Sequence, residues 1–179
     1  MSAHAERIAA IVLELAKRKM ALAQPMQRKE LSELEARQGI TLPEELRDFV
    51  LLAGASSSGP GFGLMSPAEA MSRNPKAAPR DPFPFSTAQA NAIGRERLID
   101  KNEHAMLEGW TMPGTLTLAG HGCGWESAIV VTGEQRGFIW YGGDGWWPEG
   151  RVLGRGRGRR FEQLGFLDWY ERWLDRNIN

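Results

Sequence analysis

Ile8, Ile11, Val12 and Leu15 recur at i, i+3, i+4 and i+7, so the chain opens on an amphipathic helix with Arg7, Glu14 and Arg18 on its wet side. A second helix is expected over Glu30 to Gln38, with Leu31 and Leu34 on one face and Gly39 suited to the left-handed position beyond its end. Thr41-Leu42-Pro43-Glu44 has the form of a capping box with proline in the first turn, and Leu42, Leu46, Phe49, Val50 and Ala53 continue it as one apolar stripe. Gly54 to Gly63 is a glycine- and serine-rich loop, and its length points to function or mobility. Ser66 with Glu69, and Ser86 with Gln89, open two further helices, the second expected to run to about His104 despite Gly94 in its interior. Between them, Asn74 to Pro84 carries four prolines and predicts an irregular surface excursion.

After Pro113 the period changes from that of a helix to that of a strand. Thr115 to Ala119, Ser127 to Thr132 and Gly137 to Tyr141 are short β-prone runs separated by glycine-rich turns, the pattern of an antiparallel meander. The apolar run Ala128 to Val131 predicts a strand covered on both faces. Gly142 to Arg160 looks irregular, and Phe161 to Arg176 forms a closing helix with Phe166, Trp169, Tyr170 and Trp173 at helical spacing. The fold class is therefore α+β: an antiparallel or mixed central sheet flanked by N-terminal helices and an aromatic-rich C-terminal helix.

Composition narrows the function classes. The chain has 179 residues, and its 22 basic and 22 acidic side chains cancel, which argues against wholesale binding to nucleic acid or an anionic membrane. Cys123 is the single cysteine, so no internal disulfide forms and a reducing, cytoplasmic setting is expected. Glu6, Glu14 and Lys17 interrupt any leader-like apolar run near the start.

Motifs for catalysis are weak. Gly120-His121-Gly122-Cys123-Gly124 brings an imidazole near a thiol, but no further cysteine or histidine stands at ligand spacing, so a tight turn is the better reading. Alternating glycines at Gly59 to Gly63 and Gly154 to Gly158 lack the lysine and the strand-to-helix setting of a phosphate loop. Arg151, Arg155, Arg157, Arg159 and Arg160 beside two tryptophans offer a basic, aromatic platform, yet zero net charge disfavours nucleic acid as its ligand. No catalytic residue, metal or cofactor is expected.

The tryptophans divide by position. Trp140, Trp169 and Trp173 are assigned to the core, whereas Trp125, Trp146 and Trp147 fall in expected turns and are interface candidates. With Phe62, Glu126, Asp144 and Glu149 they make up the expected partner-binding set.

Three stretches taken in order resemble the SUKH superfamily. They are Leu34-Glu35 to Gly39 followed by Leu42-Pro43-Glu44-Glu45-Leu46; Gly122-Cys123-Gly124-Trp125-Glu126 with Ile129-Val130-Val131 and Gly137-Phe138-Ile139-Trp140; and Phe166-Leu167-Asp168-Trp169-Tyr170 with Trp173-Leu174. Trp125-Glu126 departs from the pattern, since relatives often carry an acidic residue directly after the second glycine. The resemblance places a SUKH-like domain at 30–176 behind an N-terminal helical extension at 1–29. It implies a binding scaffold without catalytic apparatus: an immunity protein that occludes a cognate toxin, or an intracellular regulatory module like the fungal cell-wall-assembly regulators.

Overall fold

The computed structural model describes residues 4–73, 79–109 and 112–176. Helices α1 (Ala5–Lys17), α2 (Arg28–Gln38), α3 (Glu44–Leu52), α4 (Pro67–Arg73) and α5 (Thr87–Leu98) come first. Strands β1 (Leu107–Glu108), β2 (Thr115–Gly122), β3 (Trp125–Val130), β4 (Ile139–Gly142) and β5 (Gly145–Pro148) form a sheet in the order β1-β5-β4-β3-β2, with every pairing antiparallel. A hairpin of β6 (Gly150–Leu153) and β7 (Arg160–Gln163) and helix α6 (Phe166–Arg176) close the chain. The α+β expectation holds, and the sheet is antiparallel throughout.

Side-chain alternation along the central strands divides the interior in two. Ile129, Val131 and Ile139 join Leu116 and Leu118 in the main core with Ile8, Ile11 and Leu15 of α1, Leu46, Phe49 and Val50 of α3, and Phe166, Trp169 and Tyr170 of α6. Their neighbours Ala128, Val130 and Trp140 point the other way, into a smaller core with Phe83, Ala90, Met112 and Trp146. β3 is thus covered on both faces, as its apolar run predicts. Helix α1 is pinned by charge as well as packing: Arg7 reaches Asp168 at 2.8 Å and Glu171 at 2.6 Å on α6.

Several local expectations are met atom by atom. Ser66 and Glu69 form a reciprocal capping box, as do Ser86 and Gln89. Gly39 takes the left-handed conformation at the end of α2. The Thr41 box does not form. Pro43 caps α3 without a side-chain bond, and the buried Glu35 carboxylate instead accepts the Leu42 N–H at 2.8 Å while pairing with Arg47 at 3.3 Å.

Other expectations are corrected. Gly142 to Arg160 is not irregular: it contains β5, β6 and the bend into β7, whose four-residue strands are too short and too glycine-rich to show a period. The last helix begins at Phe166, because Phe161 belongs to β7 and packs its ring over Gly94 and Gly150. A Cβ on Gly94 would lie 2.3 Å from that ring, which explains glycine inside α5, a helix that stops at Leu98 and does not reach His104. Residues 74–78 of the proline-rich excursion lie outside the described residues, but its Phe83 is core. The 54–63 loop is tethered: Ser57 bridges Leu64, Phe62 N–H donates to Gly120 O at 2.9 Å, and Tyr170 Oη contacts Ser57 Oγ at 2.9 Å.

Candidate partner-binding face

Register decides which side chains share the open part of the sheet. Ser127 of β3 stands opposite Tyr141 of β4, which stands opposite Trp147 of β5, so these three and Trp125 point to one side. Trp125 and Tyr141 are stacked with centroids 5.6 Å apart and a 17° interplanar angle, and Trp147 lies 5.1 Å from Tyr141 and 5.6 Å from Trp125. All three are only half-buried. His121 extends the row, 5.0 Å from Tyr141, with Nε2 2.8 Å from Ser127 Oγ. From α5, the Arg97 guanidinium covers the Trp147 ring at 3.5 Å, a cation–π contact.

Beyond this platform the sheet meets α6 in a cleft of about 230 Å³ lined by His121, Tyr141, Glu149, Trp169, Arg172 and Arg176, with Pro60 and Gly61 at its edge. Burial pushes the Glu149 carboxyl above its ordinary value, against the pull of Arg172, Arg176 and Arg97. Burial likewise lowers His121 and raises Tyr141, so both favour their neutral forms.

Of the seven residues expected at an interface, the fold brings together Trp125, Trp147 and Glu149. Asp144 is exposed in the β4–β5 turn. Phe62 is 83 % exposed, and its ring approaches Gly122 at the β2–β3 turn; it lines a wider hollow of about 680 Å³ with Ser57, Ser58, Leu64, Met65 and Arg73. Glu126 alternates to the opposite face from Trp125; burial raises its pKa, partly offset by a Thr117 hydrogen bond. Trp146 is the clear correction. It is 1 % exposed and packs in the smaller core, because pairing with Gly142 turns its side chain away from that of Trp147. Trp140 and Trp169 are core as expected, Trp173 packs partly buried against the main core, and Trp110 lies outside the described residues.

Sequence reasoning missed Tyr141, Ser127, Arg97, Arg172 and Arg176. Two signals were available: the shared parity of 125 and 127, or of 147 and 149, once β5 is recognised, and the i,i+4 spacing of the two arginines on α6. Cys123 sits in the β2–β3 turn with φ 51°, followed by Gly124 at φ 83°; both central residues are left-handed, as a two-residue primed hairpin turn demands. The tight-turn reading of this glycine cluster accounts for its geometry. Elsewhere, His4, Glu44 and Asp48 bring potential metal-ligand atoms within 4.8 Å of one another, at a solvent-accessible junction of α1 and α3.

The chain is thus an α+β domain whose antiparallel sheet is walled by helices and leaves one aromatic-lined end open. A family model described as the SMI1 / KNR4 family (SUKH-1) matches residues 25–163, and the chain belongs to that family. No curated protein matches its sequence. Helices α1 and α6, which lie outside the matched stretch, pack into the same core as the elements within it.

Proposed function

We propose that this chain is a non-catalytic protein-binding domain of the immunity type, which seats a cognate toxin domain on the Trp125–Tyr141–Trp147 face and blocks that toxin's active site or substrate path. The observation that carries this reading is the platform itself. Three large rings in mutual contact stay half-exposed on a rigid sheet, a place where monomeric cores would bury them. Exposed turns bearing Phe62 and Asp144 supply an adaptable rim. A catalytic reading of the nearby His121–Ser127 pair is less favoured. Ser127 is buried, and no carboxylate orients the imidazole among the described residues. Action inside the producing cell is in keeping with the lone cysteine, and no helix among the described residues is long and apolar enough to cross a membrane.

Co-expression with a toxin domain encoded beside this gene tests the proposal. Protection from growth arrest and a stoichiometric complex are expected, with Trp125→Ala/Trp147→Ala weakening the complex at least about tenfold while circular dichroism stays native. An unchanged affinity in the folded double variant removes the platform from the interface. Absence of any neighbouring toxin, with capture of a host regulatory protein through the same rings, moves the function to an intracellular scaffold.

A further inference from the structure

The cleft beside the platform has a charge pattern that the fold alone leaves unresolved. Arg97 of α5, and Arg172 and Arg176 of α6, all act on one carboxylate, Glu149. Arg97 is also drawn to Glu103, whereas Arg172 and Arg176 line a hollow of about 230 Å³ whose single carboxylate is Glu149, which leaves an excess of one positive charge in its lining. None of these arginines forms a close ion pair with an acidic side chain among the described residues, and the Glu149 carboxylate accepts no side-chain hydrogen bond there. Arg172 donates to Gly150 O, which fixes its position, while Arg176 is exposed at the rim.

The two helix arginines stand at i,i+4, a spacing at which like charges destabilise a helix. Burial first, and then the like charge of Arg176, hold the Arg172 guanidinium below its ordinary pKa. By contrast Arg7, also facing α6, is fully matched by Asp168 and Glu171. Arg172 and Arg176 border Asp168, Glu171 and Asp175 on their outer side, and toward the sheet they stand over an aromatic floor of Trp169, Trp173 and Tyr141 where Glu149 is the one carboxylate.

We propose that this cleft is a carboxylate-recognition subsite of the binding face, which takes an aspartate or glutamate side chain of the protein partner between Arg172 and Arg176. The inference rests on the reading of this face as a protein-docking surface. A guanidinium pair matches the two oxygens of a carboxylate, and partial burial makes each such hydrogen bond stronger than it would be in water. Glu149 sets the pH dependence. Its carboxyl, when protonated, donates to the incoming carboxylate; when ionised, it repels it. Binding therefore draws a proton from solvent onto Glu149 and tightens as pH falls through its raised pKa. The other groups facing this carboxyl are Arg97 from α5, Tyr141 from β4, His121 from β2, and Arg172 and Arg176 from α6. Tyr141 stays neutral over this range, and protonation of His121 at lower pH acts in the same direction.

A fluorescein-labelled octaglutamate peptide probes the subsite without any toxin, with octaglutamine as the uncharged control. Octaglutamate should bind at least about tenfold tighter, and Arg176→Ala should weaken it at least about fivefold without lowering the melting temperature. Arg157→Ala, in the bend before β7, should change nothing. Glu149→Gln should bind more tightly than wild type at pH 8 and lose most of the pH dependence. Equal binding of the two peptides, no binding, or equal losses in the Arg176 and Arg157 variants would overturn the subsite. Displacement of the peptide by inorganic phosphate at lower concentration than by acetate would overturn the carboxylate assignment in favour of a free phosphate. Because no toxin enters these titrations, their failure is separable from failure of the immunity reading. Toxin binding that survives Arg172→Ala and Arg176→Ala but not Trp125→Ala/Trp147→Ala would remove this cleft and leave the platform intact.

Discussion

Trp146 and Trp147 are chemically identical neighbours with opposite environments, and mutating each in turn tests the register of β5. Trp146 fills the smaller core against Trp140, Phe83 and Ala128, and it lies so close to Gly142 that a Cβ there would be 2.5 Å from its ring. Truncating a buried tryptophan to alanine costs about 3–5 kcal/mol. The lower end applies, because Trp146 Nε1 has no hydrogen-bond partner among the described residues, so its removal also relieves a buried unsatisfied donor. About 3 kcal/mol corresponds to roughly 6–12 °C in Tm for a domain of this size. Trp146→Phe keeps most of the apolar volume and removes the same orphan donor, so it should stay within about 1 kcal/mol of wild type. Trp147→Ala loses ring contacts and the Arg97 cation–π pair on a half-exposed surface, and should cost about 1 kcal/mol. Urea denaturation followed by far-UV circular dichroism measures all three. Because a one-residue slip exchanges the faces of a strand, a wild-type midpoint for Trp146→Ala, or equal losses for Trp146→Ala and Trp147→Ala, would refute the pairing of β5 with β4.

Leu46→Asp and Trp169→Asp each bury an unpaired carboxylate in the main core and should unfold the domain, visible as loss of the cooperative melt; a normal melting temperature in either would contradict the assigned helix faces. Cys123→Ser should leave partner binding and stability unchanged, and Cys123→Gly should stabilise by up to about 1 kcal/mol because glycine meets the φ of 51° without strain. A folded Cys123→Ser protein without binding activity would give the thiol a role beyond the turn. The folded-state pKa of Glu149 is raised, so the native state binds more protons than the unfolded chain above the ordinary carboxylate value of 4.5, and stability falls as pH rises through that window. Glu149→Gln should therefore raise Tm at pH 8 and flatten the decline, and an unchanged pH–Tm curve would show that the carboxyl is not desolvated.

The helices were legible in the sequence because their signals are local. Apolar spacing in α1, α3 and α6, the serine boxes before α4 and α5, and Gly39 after α2 each depend on residues within a few positions of one another. The central meander was legible for the same reason, as was the family resemblance, whose motifs lie in these elements. Trp125, Trp147 and Glu149 were recognised as exposed candidates from their turn-like surroundings. Only the tertiary structure separated Trp146 from Trp147, because that choice depends on which β5 residue faces Gly142 and Tyr141 of β4. The charged cleft was likewise beyond sequence reading. Arg97, Glu149 and Arg172 are far apart along the chain, and local patterning does not register charges that meet only when α5 and α6 pack against the sheet. Propensity and periodicity act over single turns of chain, whereas strand register and the convergence of charge are set by burial of the whole sheet between its two cores.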